Sequence, residues 1–346
     1  MPCYNNSKAI NRYSTVLDNT DLLKQKEVLM SKKSKGVKKK RWTRDDTQLA
    51  LLALPTTIWY VCFCFLPMFG VLMAFKNYRI VEAGRSFFYN LLHSETTGFK
   101  NFEFLFSSGS GTRVLKLTLT YNIAFIILGI VVPVILSLMM SQLHGKRYGK
   151  TCQTLMFLPY FMSWVIVGYF VYAFLSPDKG LFNTILTMLN KDTVNWYREP
   201  EYWPYFLVFL NVWKGMGYGM VVYLASITGI DTSLYEAAMM DGATKFQQAV
   251  KITLPLMKSV IIMMFILSIG GLVRSDFGLF YQVPKASNSL YTVTETIDVF
   301  IYKMIKEQPN PNMGSAASFL QSVVSCALIL ITNRIVKWMD KDSAII

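Results

Sequence analysis

The chain is short of charge. Asp, Glu, Lys and Arg make up 16% of its 346 residues, where ordinary soluble domains carry roughly 25%. Hydrophobic residues reach 53% and aromatics 14%. These proportions exclude a disordered chain and argue against a soluble enzyme, whose surface so few charges would not cover. Histidine is scarcer still, with only His93 and His144. The five cysteines are Cys3, Cys62, Cys64, Cys152 and Cys326. Cys62-Phe63-Cys64 lacks the two-to-four-residue gap of a zinc ligand pair, so no metal site is readable. A phosphate loop is missing too. The nearest match, Gly145-Lys146-Arg147-Tyr148-Gly149-Lys150-Thr151, has three residues between its glycines where a Walker loop needs four, and no strand precedes it. The first 47 residues contain no apolar core segment, so no cleavable signal peptide is expected. Glu95, Glu103, Asp178, Asp192, Glu199, Glu201, Glu295, Asp298 and Glu307 show no pairing at a glycosidase spacing. The chain is therefore expected to have no catalytic residues and no bound cofactor.

What the chain does have is long apolar runs. About 20 apolar residues at 1.5 Å each cross the roughly 30 Å of a bilayer core. Six stretches qualify, at 48–75, 114–143, 151–176, 202–227, 256–280 and 316–339. The expected fold is all-α and polytopic, with a basic tail at 1–47 and a six-span domain at 48–346. Positive charge orients it. Residues 1–47 hold twelve Lys/Arg, ten of them between Lys24 and Arg44. A nucleic-acid site is one reading of such a run. Its place just before an apolar segment favours a juxtamembrane anchor held by membrane lipids, with no nucleic-acid partner. Placing the tail inside gives 21 Lys/Arg to the inner segments and 11 to the outer ones. The short turn at 144–150 is the best single signal, so both termini are expected on the cytoplasmic side.

The outer segments carry Phe87, Phe88, Tyr89, Trp196, Tyr197, Tyr202 and Trp203, rings suited to the headgroup level. Segment 293–305 places Ile297, Phe300, Ile301, Met304 and Ile305 on one helical face. It is expected to form a short helix lying at the outer surface.

The segment between the fourth and fifth spans, 228–256, is long and patterned. Asp231 or Thr232 can cap a helix reaching about Asp241. Gly242 ends it or lets another backbone approach. A second helix begins at Thr244 and stops before Pro255. The result is a helix–Gly–helix elbow with a small-residue face, suited either to docking or to plain connection.

Glu236-Ala237-Ala238, then Gly242, then Ile252, Leu254 and Pro255 match seven positions of the loop carried by membrane subunits of bacterial ATP-binding-cassette importers. From about residue 45 the chain resembles that family. It is most similar to the six-span sugar permeases of the polysaccharide or oligosaccharide subgroup. Leu66-Pro67-Met68-Phe69-Gly70, Ala74-Phe75-Lys76-Asn77-Tyr78, Thr294-Glu295-Thr296-Ile297-Asp298 and Asp340-Lys341-Asp342-Ser343-Ala344 support that subgroup less specifically. The resemblance implies a permease in the bacterial cytoplasmic membrane. It would pair with a second homologous permease, two ATPase subunits that bind ATP and Mg, and a lipid-anchored extracytoplasmic solute-binding protein that delivers an oligosaccharide. It implies that Glu236 faces basic groups on the ATPase. Ala237, Ala238, Met240, Asp241, Gly242 and Pro255 complete the coupling set.

A charge at mid-span costs roughly 2.5–3.5 kcal/mol. Lys116 lies near a span end, where it can snorkel. Lys214, Arg274 and Asp276 lie deeper and are expected to face a polar path or the partner permease. A Lys214–Asp276 pair is one arrangement open to them. Sugars combine apolar ring faces with hydroxyl edges, so a sugar path wants aromatic platforms beside polar groups. Trp164, Tyr172, Asn211, Trp213, Lys214, Tyr218, Arg274 and Asp276 are the candidates, with Tyr169 beside them. Helix packing is the alternative for each aromatic. Gly215, Gly217 and Gly219 either admit another helix or widen the path. A permease for a non-sugar solute shares the same loop. An ion-coupled secondary transporter would not need it and would carry paired repeats.

Overall fold

The computed structural model describes residues 43–82, 84–107, 109–143, 145–307 and 310–339. Most of the basic tail, Cys3, His144 and the stretch from Asp340 to Ala344 lie outside them. The chain divides into two compact units, Met1–Met68 and Phe69–Ile346.

In the first unit, α1 (Arg44–Tyr60) starts at a capping box. Thr43 Oγ1 accepts the Asp46 N–H at 3.3 Å, and the Asp46 carboxylate accepts the Thr43 N–H at 2.9 Å. The helix is apolar beyond its first turn, and none of its residues is buried. Leu52 is 81% exposed. A helix with such a surface needs lipid or protein around it.

The second unit contains the remaining described elements. Strands β1 (Lys76–Asn77) and β2 (Glu95–Thr96) pair antiparallel. Between and after them come α2 (Phe87–His93) and α3 (Lys100–Ser107). Three long helices follow: α4 (Gly109–Ser141), α8 (Trp203–Thr228) and α13 (Pro311–Met339). The shorter α5 (Lys146–Phe157), α6 (Trp164–Leu175) and α7 (Leu181–Met188) lie between α4 and α8 in sequence. After α8 come α9 (Thr232–Met240), α10 (Lys245–Leu256), α11 (Lys258–Ile269) and α12 (Ile297–Lys306). Among the described residues, four helices are long and apolar enough to cross a membrane, and six spans result if two bent pairs each count as one.

Small residues set the spacing of α8. A Cβ at Gly217 would collide with the Met156 carbonyl oxygen, and one at Gly219 would lie 2.9 Å from the Pro133 ring. These glycines therefore admit close neighbours rather than widen a path, whereas Gly215 faces open space. The main core joins Tyr121, Val167, Trp203, Leu207, Leu279 and Phe280.

Three expectations need correction. The third apolar run is bent by 99° between Phe161 and Trp164. Pro159 can make no amide hydrogen bond, Met162 is extended, and Ser163 starts α6 afresh by accepting the Ile166 N–H. The fifth run does not continue as a helix to 280. It ends at Ile269, passes through an irregular stretch, and resumes as a π turn at Gly278–Gln282. Segment 293–305 supplies α12, but the apolar face of this helix is not left for lipid. Ile297, Phe300 and Ile301 are buried against Val114 and Ala317. Its apolar stripe is satisfied inside the protein.

Candidate functional site

Two regions contain the candidate residues. The first is the elbow. Asp231 caps α9 by accepting the Ser233 N–H at 3.0 Å, which holds its carboxyl below the usual carboxylate range. Gly242 has φ +75°, a left-handed conformation that favours glycine. The Ala243 N–H closes the turn on the Ala238 carbonyl at 2.9 Å. Thr244 then caps α10, with Gln247 completing a capping box. The second helix does not stop before Pro255. A π turn at Ala249–Thr253 carries it through the proline, and it bends by 59° at Met257 instead.

Within the elbow the Tyr235 and Thr253 hydroxyls meet at 2.9 Å, and Gln142, just past α4, ties it to the body by donating to the Lys245 carbonyl at 3.1 Å. A cavity of about 460 Å³ lies behind it, lined in part by Ile227, Tyr235 and Gln248. The outer side carries Glu236, Ala237, Met240, Asp241 and Gly242, all exposed. Met240 is 89% and Phe246 77% exposed. No atom lies within 4 Å of a Cβ built on Gly242. This exposed surface sets apolar Met240 and Phe246 beside the carboxylates of Glu236 and Asp241, and it leaves room for a partner to approach Gly242 closely. Pro255 lies in α10 at the other end of the segment.

The second region surrounds the break after Ile269. Irregular backbone within an apolar span must find its hydrogen bonds elsewhere. Asn122 Nδ2 donates to the Leu272 carbonyl at 2.8 Å and also to that of Arg274. Gln321 Nε2 donates to the Val273 carbonyl at 2.9 Å. Asp298 accepts from the Ser275 backbone N–H and, at 2.9 Å, from its hydroxyl. Thr118 Oγ1 accepts the Ile297 N–H at 2.9 Å. Glu295, with its side chain 9% exposed, accepts from Arg113 at 2.6 Å and Lys303 at 2.7 Å. The Thr294–Asp298 motif thus holds the broken stretch against α4 and α13. Sequence reasoning noticed the motif but missed this work, and it missed Asn122 and Gln321 entirely.

Four path candidates come together here. Trp164 donates through Nε1 to the Asp276 carboxylate. The Lys214 ammonium sits 5.1 Å from the Trp164 ring and 5.4 Å from that of Tyr160, and donates to the Tyr160 carbonyl at 3.1 Å. Tyr218 stacks on Tyr160 at 5.0 Å. Lys214 and Asp276 therefore meet opposite features of one tryptophan and form no ion pair with each other. Tyr172 lies on the same helix as Trp164, 5.6 Å from Tyr197. Arg274 turns toward α13 and reaches Ser322 at 3.5 Å. Asn211 is half-buried. Trp213 does not join the group and lines an apolar cavity of about 310 Å³ with Phe170, Phe174 and Phe206. Tyr160 was not foreseen, although its place beside Pro159 marks the bend.

A bundle interrupted inside its apolar spans, with an elbow projecting between two of them, is the form of a transport subunit rather than an enzyme. The family model for the binding-protein-dependent transport system inner membrane component matches residues 134–344. That is more than half the chain, and the chain belongs to this family of ABC importer permeases. It is a non-catalytic, multi-span protein of the inner membrane. Over 294 residues it is 32% identical to the polygalacturonan/rhamnogalacturonan transport system permease protein YteP of Bacillus subtilis (strain 168), covering 85% of this chain and 89% of that one. It is 28% identical over 303 residues to the diacetylchitobiose uptake system permease protein NgcF of Streptomyces coelicolor, covering 83% and 82%. A chain in the crystal structure of a bacterial alginate ABC transporter, in complex with an alginate pentasaccharide-bound periplasmic protein, matches with a TM-score of 0.75 and 31% identity, over 86% of this chain and 96% of that one.

Proposed function

We propose that the chain forms half of the translocation path for an oligosaccharide or glycan fragment, and that the elbow couples this path to a separate ATPase. An extracytoplasmic binding protein delivers the cargo, and a second, homologous permease supplies the other half. The observation that carries the coupling is the exposed Glu236–Gly242 surface, built on a glycine at φ +75° with open space around it. The relatives that transport polygalacturonan or take up diacetylchitobiose support the carbohydrate cargo.

Mechanically the elbow is a lever. Two ATPase subunits, each holding ATP and Mg, close on each other and drag the docked helices together. The spans then rock from inward-facing to outward-facing. The excess of Lys and Arg in the inner segments supports assigning residues 1–47 and the C-terminal tail to the ATPase side.

The cargo is tested by ATP-dependent uptake in proteoliposomes holding the co-purified complex and its binding protein. Labelled oligosaccharides of graded length should accumulate, while peptides and polyols should not. Accumulation of a peptide or polyol and of no sugar would overturn the carbohydrate reading.

A further inference from the structure

Along α6, Trp164, Val165, Gly168, Tyr169 and Tyr172 recur at spacings of one, three and four and so share a face. This face meets the segment from Asp276 to Ala286. A Cβ on Gly168 would lie 2.9 Å from the Gln282 carbonyl oxygen, and Trp164 covers Gly278. Two ammonium groups lie over it. Lys214 covers Trp164 at one end. At the other, Lys285 lies 3.4 Å from the Tyr169 ring centroid and 5.6 Å from that of Tyr172. Among the described residues neither lysine has a carboxylate at ion-pair distance. Asp276 is committed to Trp164 Nε1–H and to the amides of Gly278 and Leu279. The Arg274 guanidinium donates to the Ser322 hydroxyl. A ring face attracts an ammonium but leaves its charge in place.

The backbone at Lys285 is an independent sign. Lys285 has φ 56° and Ala286 φ 50°, a left-handed conformation that side-chain-bearing residues rarely adopt. The turn is held by the Ala286 N–H on the Tyr281 carbonyl and the Ser287 hydroxyl on the Tyr197 carbonyl, both at 3.1 Å. A lysine that served only solubility would not need an unfavourable turn to aim it. It opens on a cavity of about 260 Å³ lined by Val165, Tyr169, Tyr281, Gln282, Lys285 and Ala286. That is below the roughly 300–1,000 Å³ of pockets for whole ligands, and suits one ring of a longer oligomer.

We propose that this face is a binding track for an anionic glycan, with sugar rings on the α6 aromatics and uronate carboxylates meeting Lys285 and Lys214. The inference rests on the carbohydrate reading above and narrows it. The five to eight residues from Trp164 to Tyr169 and Tyr172 span about 8–12 Å of helix, so the two charges address different rings of the oligomer. A neutral sugar would leave both ammonium groups without a counter-charge.

The test is ATP-driven uptake by the whole reconstituted complex, with its binding protein, of uronate trimers and of neutral hexose trimers with matching linkages. Uronate trimers should accumulate. Lys285→Gln and Lys214→Gln should each raise their KM at least tenfold, and Lys285→Arg should stay within threefold of the wild type. Import of neutral trimers alone would overturn the anionic track and leave the carbohydrate reading standing. Import of neither under ATP would overturn both. Uronate uptake unchanged in both Gln variants would contradict the track. So would loss of assembled complex on purification in Lys285→Gln and Lys285→Arg alike, which would make Lys285 an assembly contact.

Discussion

The elbow and the break after Ile269 both interrupt helices, yet they are stabilised in opposite ways. The elbow is held by its nearest neighbours in sequence, as Asp231 with Ser233 and Thr244 with Gln247 show. Its outer face, from Glu236 to Gly242, is largely exposed. The break is held by residues far away in sequence. Asn122 reaches across 152 positions to the Arg274 carbonyl, and Thr118 across 179 to the Ile297 amide. A surface stabilised locally and left bare is suited to another subunit. A break stabilised by long-range hydrogen bonds has its partners already and belongs to the chain's own architecture.

Two glutamates give the largest expected contrast. Glu295→Ala leaves Arg113 and Lys303 without their shared carboxylate. Arg113 is half-exposed and can regain water, so the loss is about 1–3 kcal/mol, which should appear as a lowered unfolding midpoint of the purified complex. Glu236→Ala, on the exposed elbow, should leave that midpoint unchanged. Equal destabilisation by both would erase the distinction.

Gly242 separates the demands of the turn from those of a partner. Asn tolerates left-handed φ, and the space around Gly242 is open within this chain. Gly242→Asn should therefore keep the elbow folded, at a cost of about 1 kcal/mol or less. If Gly242→Asn nonetheless cuts ATP-driven uptake severalfold, the glycine is needed by the docked subunit. Full activity would mean that the turn alone requires it.

Asp231 gives a smaller, pH-dependent effect. Its carboxyl is lowered in the folded chain by the Ser233 amide. The stability it adds is fully present above the unfolded value of about 3.9 and is lost as pH falls through the lower folded value. Hydrogen exchange in the first turn of α9, corrected for intrinsic rates, should lose protection below about pH 4. Asp231→Asn should cap the helix without that dependence. Smallest of all is Tyr223→Phe. The buried Tyr223 hydroxyl has no hydrogen-bond partner among the described residues, so its removal should shift stability by no more than about 0.5 kcal/mol in either direction.

The same contrast explains what the sequence made legible. The elbow's caps, its glycine and its two helix starts depend on residues two to four positions apart, so the pattern could be read directly. The bend at Pro159 had a local signal as well, but the apolar run around it concealed the interruption. Between 270 and 280 the composition still reads as a span, and only Gly270, Gly271, Arg274 and Asp276 disagree. Whether such residues merely line a helix or replace it depends on Asn122, Asp298 and Gln321, which only the fold brings near. Segment 293–305 failed for a related reason. Its amphipathic period was correct, but periodicity does not say whether an apolar face meets lipid or protein.

The central claim is that the elbow transmits ATP hydrolysis from another subunit to this chain's spans. The most direct test reconstitutes the complex with its binding protein in proteoliposomes and measures labelled oligosaccharide uptake and ATP hydrolysis together, for the wild type, Glu236→Ala and Gly242→Arg. Wild-type uptake should require ATP. Glu236→Ala should reduce it, and Gly242→Arg should abolish it and weaken ATPase recovery with the complex. Uptake that follows an ion gradient, ignores ATP and survives both substitutions would contradict the account.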